Sequence, residues 1–94
     1  MRLTGLVRTP DPAGLALRTG KHFAHKVQVD EEGEARRIHT RFGVIGLAPA
    51  SDGLHVELDG EQIEELRRVA SSHLERFARD GFAVDWRSEE LGAG

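Results

Sequence analysis

The chain has 94 residues, a formal net charge of −3 and no cysteine. That length makes one domain with a core of its own, the missing cysteines exclude disulfides and thiolate metal sites, and the negative balance excludes a general pull towards nucleic acid. No apolar run approaches the roughly 20 residues that cross a bilayer, and the first residues, MRLTGLVRTPDP, lack the apolar stretch of a signal peptide. A cytoplasmic protein without membrane or nucleic-acid partners is expected.

In chain order, Leu3 to Arg8 reads as a short strand, broken by Thr9-Pro10-Asp11-Pro12. Asp11 suits an N-cap and Pro12 the first helical position. The helix that follows, from about Ala13 to His25, has an apolar side of Ala13, Ala16, Leu17, Gly20, Phe23 and Ala24. Val27 to Asp30 is a strand and Glu31 to Glu34 a polar turn. Ala35 to Phe42 alternates, with Ile38, Thr40 and Phe42 on one side and Arg37, His39 and Arg41 on the other. Gly43 to Ala48 is the next strand, Ser51-Asp52-Gly53 a hairpin turn, and Leu54 to Asp59 alternates again with His55, Glu57 and Asp59 outward.

Glu61 to Arg79 is the longest helical stretch. Ile63, Leu66, Ala70, His73, Leu74 and Phe77 share one side at about 100° per residue. Asp59 or Gly60 is the expected N-cap, early glutamates suit the helix dipole, and Gly81 stops the helix. Phe82, Val84 and Trp86 then alternate with Ala83 and Asp85 in a last strand. Residues 1–87 are expected to form the domain and residues 88–94 a flexible tail.

The order is β-α-β-β-β-β-α-β. Strands that alternate apolar and polar residues cover one sheet face and leave the other in water. Two amphipathic helices can cover that one face. The expected fold is α+β, a two-layer sandwich of a mostly antiparallel sheet with two helices on one face.

The chemistry concentrates in Lys21 to Lys26, KHFAHK. With Phe23 buried, His22 and His25 fall on the polar side of the helix beside Arg18, Lys21 and Lys26. This is the most basic stretch of an acidic chain, and it suits an anionic ligand or partner. His73 lies on the apolar side of its own helix, where a neutral imidazole bonded to the backbone is the plain expectation. A metal site of His22, His25 and His73 needs the first two to turn inward, since their register points them away from His73. Imidazoles suit iron or zinc. The sequence has no Ser/His/Asp order, P-loop or GxGxxG, and no acid–base pair can be named, so the reading leans away from an enzyme.

KHFAHK, the later His73 to Ala78 (HLERFA) and the closing Trp86 together resemble a small bacterial family known as domain of unknown function 2218, from about Thr9 to Trp86. Arg79-Asp80-Gly81 departs from the family pattern after HLERFA. The resemblance implies an association with siderophore-interacting reductases and no established activity. Taken together, the expectation is a small binding module, an accessory to siderophore or iron use, that takes a metal, an iron chelate or an anion near Arg18, Lys21, His22, His25 and Lys26. The alternative is a protein-interaction or homodimerisation domain. The expected partner is a siderophore-interacting reductase or a second copy of the chain.

Overall fold

A computed structural model describes residues 1–78 and 84–88. The elements follow the expected order: β1 (Arg2–Val7), α1 (Pro12–Ala24), β2 (Val29–Glu32), β3 (Ala35–Thr40), β4 (Gly43–Ala50), β5 (Gly53–Asp59), α2 (Ile63–Phe77) and β6 (Val84–Ser88). The strands form one sheet in the order β2-β3-β4-β5-β1-β6, and every pairing is antiparallel. Strands β2 to β5 form a meander. The N-terminal strand enters beside β5, and β6 adds to its outer side.

Tight turns set the register of the meander. Pairing of Glu32 with Ala35, Thr40 with Gly43 and Ala50 with Gly53 leaves two-residue loops between the strands. Gly53 has φ of 143°, and a Cβ there would collide with the Val7 carbonyl of the neighbouring strand. Only glycine fits that position without strain.

Both helices lie on one face. The core between the layers is Val7, Ile38, Ile45, Leu47, Leu54, Val56 and Leu58 from the sheet, met by Leu15, Ala16 and Phe23 from α1 and Leu66, Ala70 and Leu74 from α2. Trp86 packs against this core from the edge strand, directly over Gly5: a Cβ on Gly5 would stand 2.6 Å from Trp86 Cε3. The opposite face carries Arg37, His55 and Glu57, all exposed, with His39 partly so, and neither α1 nor α2 covers it.

Several local readings need correction. In α1 the buried residues are Leu15, Ala16, Thr19, Gly20 and Phe23, whereas Leu17 is 41% exposed and Ala24 is exposed. At about 100° per residue, this turns the buried face by roughly 70° from the expected one. The turn buries Leu15 and Thr19 in place of Leu17 and Ala24, while Ala16, Gly20 and Phe23 belong to both faces. Gly20 brings the helix close to the sheet, where the stem of Arg36 lies against it, 3.2 Å from where a Cβ would sit. The α1 N-cap is as expected: Asp11 Oδ1 accepts from the Gly14 N–H at 3.0 Å, and Pro12 opens the helix.

Strand β2 begins at Val29 rather than Val27, because the Val27 N–H still bonds the Phe23 carbonyl at the helix end. The N-cap of α2 is Gln62, not Asp59 or Gly60, and no side chain caps it. Asp59 is held in β5, paired with Arg2 and Val44. The helix ends at Phe77, with Ala78 extended. The expected stop at Gly81 and the strand positions Phe82 and Ala83 lie outside the described residues. Ser88 belongs to β6, opposite Leu3; the rest of the expected tail, 89–94, is outside the described residues.

Candidate functional site: the seam between the helices

Turning α1 about its axis changes where its histidines go. His22 is at the flank of the helix, facing α2, instead of on the far side. Its ring centroid is 5.2 Å from that of His73 and 5.3 Å from that of Phe77. Phe23 and His73 are closer still, at 4.5 Å. The four rings make one cluster across the seam, with Phe23 buried and the other three partly buried. Tilted and edge-on ring contacts at these distances are favourable. The expectation that His22 and His73 look away from each other is therefore overturned.

His73 is bonded to the backbone of its own helix. Its Nδ1–H donates to the Val69 carbonyl one turn back, at 2.8 Å. A carbonyl can only accept, so the bond places the proton on Nδ1 and leaves Nε2 with the lone pair in the neutral ring.

His25 does not join them. It follows α1 as its C-cap, exposed, with its own N–H bonded to the helix end. Lys21 and Lys26 are also exposed, and among the described residues neither is in an ion pair. Arg18 is used otherwise. Its Nη2 donates to the Phe77 carbonyl, the last of α2, at 3.2 Å, and its Nη1 is 3.8 Å from Asp11. It ties the start of α1 to the end of α2, and a cation is well placed against those terminal carbonyls.

The surroundings of His22 are positive. Burial holds its pKa below the ordinary 6.5, and the neighbouring His73, Arg76, Lys26 and His25 push it the same way. Those cations and imidazoles favour an anion at the rim of the cluster. A zinc site takes at least three protein ligands, only two imidazoles meet, and among the described residues no group of three or more His, Cys, Asp or Glu side chains is placed to hold an ion.

The sequence turns His39 and His55 to the bare face of the sheet and gives them no role there. His39 Nε2 is 2.8 Å from Asp30 Oδ2, and His55 Nε2 is 2.8 Å from Asp52 Oδ1. Hydrogen bonds from Gln28 and His39 hold the Asp30 carboxyl below its usual range, and His55 does the same for Asp52. A groove of about 570 Å³ runs over this face, with Val44, Gly46 and Ala48 on its floor and Arg37, Glu57 and Arg2 at its sides. The small residues of β4 were the available signal.

Residues 4–87 match the family model described as an uncharacterized protein conserved in bacteria, DUF2218. The chain belongs to this family. The NMR structure of PA4090 from Pseudomonas aeruginosa is similar over 92% of this chain and 94% of that one, with 27% identity and a TM-score of 0.73. No curated protein is similar enough to match. The family match includes both KHFAHK and HLERFA, the segments that meet at the seam. No helix in the described residues is long and apolar enough to cross a membrane.

Proposed function

We propose that this protein is a small non-catalytic binding module that takes an anionic ligand at the C-terminal end of α1. The single observation behind this reading is the local charge. Lys21, His25 and Lys26 are exposed around the partly buried His22, with Arg76 close by, and among the described residues neither lysine is in an ion pair. Charge-assisted hydrogen bonds from such groups are strong and suit carboxylate or phosphate oxygens. The apolar rings of Phe23 and Phe77 supply a firm base behind them. The siderophore association implied by the family resemblance makes an anionic ferric chelate the first probe, with the metal carried by the ligand and not by the protein.

Calorimetric titration with citrate and with ferric citrate tests this. Lys21→Gln with Lys26→Gln should weaken binding by at least about tenfold, the effect of losing one to two charge-assisted bonds. Arg37→Gln, on the opposite face, should leave it unchanged. The reading is wrong if neither compound binds, or if binding ignores the lysines.

A further inference from the structure

The bare face has a pattern of its own. One row of cross-strand neighbours reads Asp30, Arg37, Gly46, Glu57, Thr4, Arg87 from one edge to the other. Its middle is empty. Nothing inside the chain asks for glycine at position 46. Among the described residues beyond its chain neighbours, a Cβ there would come no nearer than 3.6 Å to any atom, its φ is not in the left-handed region, and pairing passes through it on both sides without a bulge. A glycine inside a regular strand weakens that strand and marks a place where another backbone or a ligand comes close.

The banks of this gap are unlike in charge. Arg37 stands on β3, exposed and without an ion pair among the described residues. Glu57 stands on β5, 53% exposed in its side chain, with Arg2 Nε at 3.6 Å. The gap keeps Arg37 and Glu57 of one chain on separate strands, each turned to solvent.

We propose that two copies of this chain associate face to face through this surface, about a two-fold axis running along the strands between β4 and β5. Such an axis lays each row against its own reverse. Glu57 of one copy then sits over Gly46 of the other and reaches Arg37, and the same contact repeats by symmetry, as an isologous interface requires. At the edges Asp30 of one copy meets Arg87 of the other. In the adjoining row Leu6 comes over Ala35, both apolar. Glu32 and Asp85, at the outer edges of that row, match badly, where twisted sheets packed face to face draw apart at their corners, and in the row on the other side Val44 comes over Asp59 and His39 over Arg2. The occupant favoured is a second copy because the complement of each charged bank is the chain's own other bank.

Sedimentation velocity and light scattering from micromolar to millimolar protein read the association directly, as a rise from the 10.4 kDa chain mass to twice that. Glu57→Arg or Arg37→Glu alone should weaken the dimer by at least about tenfold, because each sets like charges together. The double swap should restore it. Gly46→Lys fills the gap on an open surface, so it should leave the melting temperature close to wild type and abolish the dimer. A chain that stays monomeric throughout overturns the proposal. So does a dimer that none of these changes affects.

Discussion

Arg18 and Phe77 are joined across the two helices by a hydrogen bond of 3.2 Å from the guanidinium to the last helical carbonyl of α2. Arg18 was expected to be one of the ligand-binding cations, and the bond makes it part of the frame. Its side chain is 27% exposed, so the bond is sheltered from competing water. Arg18→Met keeps the stem and removes the donor. It should cost roughly 1–3 kcal/mol, the range for an unsatisfied group and a lost charge-assisted bond, whereas Lys21→Met should stay within about 0.5 kcal/mol. Urea denaturation measures both, and equal small effects would show that the tie contributes nothing.

The register of α1 can be tested with two leucines two residues apart. Leu15 is fully buried and Leu17 is 41% exposed. Leu15→Ala should destabilise by roughly 2–5 kcal/mol, and Leu17→Ala by less than about 0.5 kcal/mol. The reverse ranking would restore the face read from the sequence alone and would return His22 to the far side of the helix.

Trp86 lies on Gly5 so closely that a methyl group cannot enter without a shift. Gly5→Ala should therefore cost roughly 1–3 kcal/mol, as overpacking does. It should also move the emission of the chain's one tryptophan. In a Trp86→Leu background the same change should cost clearly less, since the two sites share one contact. Additive losses would place the strain elsewhere.

Acid should loosen the helix seam. His22 has a folded pKa below 6.5, so between the two values the unfolded chain binds more protons than the folded one. The stability that comes from the neutral His22 is complete above the unfolded value and is lost as pH falls from 6.5 towards the lower folded value. Melting temperature should fall across that interval, with a shallower slope in His22→Gln. The lowered carboxyls of Asp30, Asp52 and Glu64 act in the same direction, but only at the lower pH where carboxylates titrate. A slope that His22→Gln leaves intact would assign the effect to another group.

Much of this protein is determined by the sequence alone. Alternation in Leu54 to Asp59 and in Ala35 to Thr40, the Asp11-Pro12 cap and the stripe from Ile63 to Phe77 are local patterns, and the backbone obeys them because each side chain's direction follows from its position in a strand or helix. Element order, the antiparallel sheet and the two-layer architecture came from these. The strand order came from the tertiary structure, since placing β1 between β5 and β6 depends on contacts between distant parts of the chain. The candidate site was also decided there. The α1 sequence offers two apolar faces, one with Leu15 and one with Leu17, and helix periodicity cannot choose between them. Ala16, Gly20 and Phe23 belong to both, and tertiary packing buried Leu15 and Thr19 with them and left Leu17 exposed. The resulting turn of roughly 70° brought His22 against His73, left His25 outside, and moved Arg18 from the ligand set to the frame.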